Sequence, residues 1–428
     1  MRIAVVVQRY GAEINGGAEL HARYVAEHLA RHAEVDVLTT CARDYVTWEN
    51  ELRAGVESIN GVPVRRFPVA HPRTPELFAR HSATVFDQPH SLQDELAWLD
   101  SEGPTSPALL RYIETNAGTY DWFLFFSYRY HHAYHGSRAV AKKAVLVPTA
   151  ERDATVGLAM FPPILRGVRA LMFNSFEERA MLQHVAGARL PGVIVGIGSE
   201  LPERPQPERF RQRFGVQDPF AIYVGRIDEN KGCKELFAFF QQHIRNARGR
   251  MQLLLIGNTI LPVPDHPMIR HLGFVSDEDK FDAMAAADVL IMPSYYESLS
   301  MVALEAWGLG TPVLANARCD VLKGQCLRSN GGLFYESYSE FGEALGALAS
   351  SPSIRRAMGR NGMAYFRRHY AWPVVERKYL QMFEQLAREP EGQQTSMAPL
   401  PGYFTRRKKV LPPATAVLAG VPEGAVLP

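Results

Sequence analysis

The sequence predicts an α/β protein built of two doubly wound, Rossmann-like domains that face a cleft. Short apolar runs such as Ile3-Ala4-Val5-Val6-Val7 and Leu253-Leu254-Leu255-Ile256 recur along the chain, each the size of a strand buried on both faces. Segments with helical spacing of apolar residues stand between them, as in βα units. The alternation halts in a charged stretch with Pro202, Pro205 and Pro207, and restarts at Phe220, which places a domain break over residues 201–218. The expected division is therefore a first domain at 1–200, a linker at 201–218, a second domain at 219–370, a last helix at 371–388 and a disordered tail at 389–428.

At 428 residues the chain is long enough for two separate cores. A net charge of +2 lacks the concentrated basic face of a nucleic-acid binder. Cys41, Cys233, Cys319 and Cys326 form no CxxC pair, which fits a reduced, cytoplasmic setting. The N-terminal apolar run is too short for a secretory signal, and no window approaches the ~18 uncharged apolar residues of a membrane span.

In chain order, residues 3–8 form a strand that leads through Gly16 and Gly17 into a helix with apolar positions at Leu20, Tyr24, Val25 and Leu29. Such a turn lets backbone approach a phosphate, although the spacing does not fit G-x-G-x-x-G and a plain turn is the alternative. Residues 35–40 are a second strand, and Asn60-Gly61 marks a hairpin turn. Residues 67–107 read as an irregular surface insertion with one helix near 92–99. Strands at 122–126 and 144–147 flank a helix over 129–143. His131, His132 and His135 on that helix resemble a metal cluster, but no carboxylate or cysteine stands at a ligand spacing, so they read as surface or core histidines. Glu151 and Asp153 lie in the polar run after residues 144–147, at a strand end where open sheets bind ligands. Ser175-Phe176-Glu177-Glu178 reads as a capping box.

The second half carries strands at 220–225, 253–257, 271–275, 288–291, 313–315 and 332–334, then helices at 338–349, 354–369 and 372–388. The tail composition beyond Glu389 is that of a disordered segment, and its cluster Arg406-Arg407-Lys408-Lys409 is a candidate contact with an anionic bilayer, at roughly 1 kcal/mol per charge.

Two motifs carry chemistry. Ser298 and Ser300 are good N-caps for a helix that starts between residues 299 and 301 and stops at Gly308 and Gly310. Glu297 then lies just outside the helix start and Glu305 one to two turns inside, flanking free N–H groups that attract anions. A ligand with both hydroxyls and a phosphate fits, and a nucleotide sugar has that pattern. The other motif is Gly225-Arg226-Ile227-Asp228-Glu229-Asn230-Lys231-Gly232, where Arg226 and Lys231 can converge on one anion. Loop cations at the surface are the alternative, and the acidic motif in the same half weighs against it.

Gly225-Arg226 with Lys231-Gly232, followed by Glu297 and Glu305, resembles the donor-binding half of retaining glycosyltransferase family 4, a two-Rossmann GT-B fold. The likeness spans most of residues 1–388 and implies that the last helix returns to the N-terminal domain. It implies a nucleotide-sugar donor and no cofactor or metal. The leaving diphosphate is then met by Arg226, Lys231 and the N–H groups of Leu299, Ser300 and Met301, beside Ser298. Glu305 is expected to bond the ribose hydroxyls and Glu297 to orient the donor sugar. The Gly16-Gly17 loop is expected near the diphosphate and acceptor, and the base against backbone at Gly273, Phe274 and Val275. The acceptor that the resemblance implies is a saccharide, or a lipid-linked or protein-linked glycan, in bacterial polysaccharide or glycoconjugate synthesis.

Two departures stand out. Where the family often has Glu-Gly-Phe-Gly, this chain has Glu297-Ser298-Leu299-Ser300. The histidine that many relatives carry near the cleft is absent after residues 122–126 and 144–147, which leaves Glu151, with Asp153, as the acceptor-side candidate. A nucleotide-sugar hydrolase or epimerase and a catalytically silent nucleotide-sugar-binding subunit are the competing functions. A nicotinamide oxidoreductase is disfavoured by the missing G-x-G-x-x-G.

Overall fold

The computed structural model describes residues 1–14, 16–246 and 251–389. The first domain runs β1 (Arg2–Val6), α1 (Gly17–Leu29), β2 (Glu34–Thr40), β3 (Gly55–Ile59), β4 (Val62–Phe67), α2 (Pro75–Asp87), α3 (Leu92–Glu102), α4 (Pro107–Thr115), β5 (Trp122–Phe126), α5 (His131–Ala139), β6 (Ala144–Val147), a 3-10 turn (Ala154–Gly157), α6 (Phe161–Gly167), β7 (Ala170–Phe173), α7 (Phe176–Ala186) and β8 (Gly192–Ile194). The strands form one sheet in the order β3-β4-β2-β1-β5-β6-β7-β8. Its pairings are parallel except for the β3–β4 hairpin, where Asn60 and Gly61 both take positive φ, as a two-residue type I′ turn requires.

Because side chains alternate along each strand, the sheet feeds two apolar layers. Ile3, Val5, Leu124 and Val145 pack with Val25 and Leu29 of α1. Ala4, Val6, Phe123 and Phe125 face Trp98, Leu99 and Ile113 of α3 and α4. The α1 core face is thus Ala22, Val25, Ala26 and Leu29, whereas Leu20 and Tyr24 are half-buried. The expected irregular surface insertion holds two helices, and its Val85, Trp98 and Leu99 are core residues. Its Pro and His content masked α2, which Pro75 opens from the first turn.

The second domain runs α8 (Pro207–Phe214), β9 (Phe220–Val224), α9 (Cys233–Asn246), β10 (Gln252–Ile256), β11 (Ile269–His271), α10 (Asp277–Ala286), β12 (Val289–Met292), α11 (Met301–Gly308), β13 (Val313–Asn316), α12 (Asp320–Ser329), β14 (Gly332–Tyr335), α13 (Tyr338–Ser350), α14 (Pro352–His369) and α15 (Trp372–Arg388). The six strands are parallel, in the order β11-β10-β9-β12-β13-β14. Much of the expected linker is α8, which buries Phe210 and pairs Arg209 with Asp282 of α10, so it belongs to the second domain. β11 ends at His271, before Gly273, Phe274 and Val275.

α15 does return to the first domain. Trp372 stacks on His28 with ring centroids 3.6 Å apart, and Lys378 Nζ donates to the Val195 carbonyl at 2.9 Å. The tail expected beyond 389, with its basic cluster at 406–409, lies outside the described residues. Among the described residues no helix is long and apolar enough to cross a membrane.

Candidate active site

Loops at the C-terminal ends of strands from both domains meet across the cleft. Asn174 after β7 donates to Ser298 Oγ after β12 at 3.4 Å, and Arg226 after β9 donates to the Tyr45 hydroxyl at 3.1 Å. Arg152 after β6 pairs with Asp320 at 2.8 Å, and Arg328 pairs with Glu177 at 2.5 Å.

α11 starts at Met301 behind Ser300, whose Oγ accepts from the Ala303 N–H at 3.4 Å. Ser300 has φ 69° and ψ 90°, a left-handed backbone that costs a side-chain-bearing residue about 1–3 kcal/mol. The backbone shape suited to glycine is kept, although the glycine is not. Among the described residues the N–H groups of Leu299, Ser300 and Met301 have no protein partner, so three donors and the positive end of the helix face the cleft.

The Gly225–Gly232 loop supplies the opposing cations through a residue the sequence reading passed over. Asp228 is fully buried, accepts the Lys231 N–H at 2.7 Å and holds the Arg226 guanidinium. One carboxylate thereby fixes both cations of the motif. Gly232 has φ 74°, and a Cβ there would stand 2.0 Å from the Pro293 carbonyl oxygen, so only glycine lets this loop lie against the end of β12. Lys231 Nζ consequently reaches Glu297 Oε1 at 2.9 Å. Burial pulls the Lys231 ammonium down, but Glu297 and Glu151 outweigh it and hold its pKa above the usual lysine range.

Glu305 is buried on α11, where Lys280 of α10 approaches Oε1 at 3.4 Å while Oε2 has no partner among the described residues. Burial pushes this carboxyl up, and Lys280 offsets only part of that. A buried carboxylate oxygen left unbonded is costly unless a ligand donates to it. Lys280 was not foreseen, since nothing in its local sequence marks it. Gly273, Phe274 and Val275 lie beyond β11, with Gly273 accepting from Gly257 N–H at 2.9 Å and Phe274 67% exposed.

On the first-domain side, Glu151 is half-buried and within electrostatic reach of Lys231 and Glu297; burial pushes its carboxyl up. Asp153 does structural work instead, capping the 3-10 turn through the Thr155 N–H and pairing with Arg129 at 3.2 Å. The capping box is half formed. Ser175 Oγ accepts from the Glu178 N–H, but the Glu178 carboxylate accepts the Ala150 and Asn174 N–H groups, each at 2.6 Å. Ser127 and Thr149, also unforeseen, end β5 and β6 with positive φ and share a 2.9 Å hydrogen bond. A Cβ on Gly16 would strike Glu19 of the buried Arg9–Glu19 pair, so packing explains that glycine, whereas Gly17 faces open space. Arg9 also lies under the Tyr45 ring, which puts the loop beside the Arg226 contact.

The loops, the free helix start and the paired cations define a two-domain protein of the GT-B class. Residues 206–364 match the family model for Glycosyl transferases group 1. The D-inositol 3-phosphate glycosyltransferase of Corynebacterium urealyticum is 25% identical over 91% of this chain and 97% of its own length. That of Kribbella flavida is 29% identical over 46% of this chain, which spans 52% of it. The solved structure of Anabaena Alr3699/HepE in complex with UDP and glucose superposes with a TM-score of 0.65 at 14% identity, covering 90% of this chain and all of that one. The second domain thus matches the group 1 glycosyltransferase model, and the two-domain fold is that of the GT-B structures on which the chain superposes.

Proposed function

We propose that this protein transfers a sugar from a nucleoside-diphosphate donor to an acceptor hydroxyl with retention of configuration and without a metal in the transfer step. The observation that carries the reading is the Lys231–Glu297 pair beside three N–H groups at the start of α11 that have no partner among the described residues. As the glycosidic bond breaks, negative charge develops on the leaving diphosphate. Arg226, Lys231 and those N–H groups neutralise it from one wall, in place of a metal. Glu297, released from Lys231 by the incoming phosphate, turns to the donor sugar. Glu305 Oε2 takes the ribose hydroxyls. Glu151 faces this group from the acceptor side, and a phosphate oxygen of the donor takes the acceptor proton.

The names and bound ligands of the relatives support a nucleotide-sugar donor, UDP-linked in the Anabaena structure. The acceptor on this reading is a saccharide or a lipid-linked or protein-linked glycan. The protein works in the cytoplasm, at the membrane surface when the acceptor is lipid-linked. Incubation with radiolabelled UDP-, GDP- and dTDP-sugars, with and without acceptors and in the presence of EDTA, tests it. NMR of the product reads the anomeric configuration. Transfer with retention that persists in EDTA is expected. Tight nucleotide binding without turnover on any donor would assign a binding subunit instead.

A further inference from the structure

The histidine run of α5 gains from the fold the carboxylate that its own sequence lacks. Asp100, near the end of α3, lies against the first turns of α5, with Oδ1 3.6 Å from His131 Nε2. The His131 and His135 rings stand 4.6 Å apart, as neighbours one helical turn apart do. One ligand atom from each of the three residues lies within 4.8 Å of the others. His131 is buried, and its Nδ1 has no partner among the described residues. His132, by contrast, donates from Nε2 to the Phe126 carbonyl and belongs to the core.

We propose that Asp100, His131 and His135 form a binding site for a divalent transition metal, zinc by ligand type, which clamps α3 to α5 behind the acceptor-side loop. Two imidazoles and a carboxylate suit zinc better than calcium or magnesium, which favour all-oxygen shells. Three protein ligands leave the fourth tetrahedral position for water. Ligand atoms around tetrahedral zinc stand about 3.4 Å apart, given bonds of about 2.1 Å, so the set must contract. The exposed Asp100 has the freedom to turn inward. His135 follows His131 by one turn on the same face of α5. Arg138, a turn beyond, is the cation that opposes binding.

The clamp has a structural consequence. Glu102, at the end of α3, pairs with Arg129 at 3.0 Å, and Arg129 holds Asp153 in the loop that carries Glu151. A metal tying α3 to α5 therefore stiffens the loop on the acceptor side, away from the donor phosphates.

The test uses the full chain without an affinity tag, stripped with EDTA and dialysed. Titration calorimetry with zinc chloride is expected to give one ion per chain, and cobalt(II) to give the visible absorption of a four-coordinate site. Asp100→Asn and His135→Gln should each weaken zinc binding about tenfold or more. Both should leave nucleoside-diphosphate affinity unchanged, which shows that the variants fold and separates this site from the donor site. No stoichiometric binding, or zinc affinity equal in both variants and the parent, overturns the proposal.

Discussion

Lys231 Nζ stands 2.9 Å from Glu297 Oε1, and this pair joins the loop after β9 to the loop after β12. A diphosphate entering the cleft must compete with Glu297 for the ammonium. Lys231→Ala should then lower kcat/KM by roughly 100- to 1,000-fold, the scale of losing one preorganised transition-state donor. Glu297→Ala should lower kcat comparably, yet bind the nucleoside diphosphate a few-fold tighter because Lys231 is released. Steady-state kinetics beside calorimetry separates the two. Full activity in the Arg226→Ala, Lys231→Ala double variant would refute the leaving-group assignment.

Ser300 combines a helix cap with a backbone that favours glycine. Ser300→Gly removes the strain, adds flexibility to the unfolded chain and gives up a cap, so it should be neutral or slightly stabilising. Ser300→Ala loses the cap and keeps the strain, and should cost about 1 kcal/mol. Urea unfolding should rank the glycine variant at or above the parent and the alanine variant below both. An alanine variant as stable as the parent would mean the capping bond contributes nothing.

Glu305 and Lys280 are coupled by burial. Lys280→Ala strands a carboxylate and should destabilise the second domain by about 3 kcal/mol, whereas Glu305→Gln should be tolerated. If Oε2 takes the ribose hydroxyls, Glu305→Gln weakens the preferred nucleoside diphosphate about tenfold. Its 2′,3′-dideoxy analogue should bind both proteins equally. An equal loss for both nucleotides would remove Glu305 from the ribose.

The parts of this molecule that a sequence declares are those whose residues are neighbours in the chain. The βα alternation, the Asn60-Gly61 turn and the α11 start are local, and each falls where residue pattern and capping place it. Arg226 and Lys231, Glu297 and Glu151 come from three loops, yet their strand ends carry them to one cleft. The Asp153 carboxylate is engaged instead by the turn it caps and by Arg129. What stayed hidden depends on packing between distant segments. Lys280 acquires meaning only beside Glu305, and Asp100 only beside α5. The α8 helix was obscured by prolines that in fact open it at Pro207.

Glu178 gives the fold a pH dependence whose sign can be worked out. Burial pushes its carboxyl up to about 8, although the Ala150 and Asn174 N–H groups pull the other way. In the unfolded chain it titrates near 4.3. The folded state therefore binds more protons between those values, and the group's contribution is full below about pH 4 and lost as pH rises through about 8. Comparing the parent with Glu178→Gln cancels the titration of every other group. Near pH 5 the protonated carboxyl matches the amide in charge, so the two urea midpoints should lie close together. By pH 8.5 the glutamine variant should be the more stable. If the parent instead gains on the variant as pH rises, the two N–H bonds outweigh burial, and Glu178 is ionised where it holds the loop that carries Glu151.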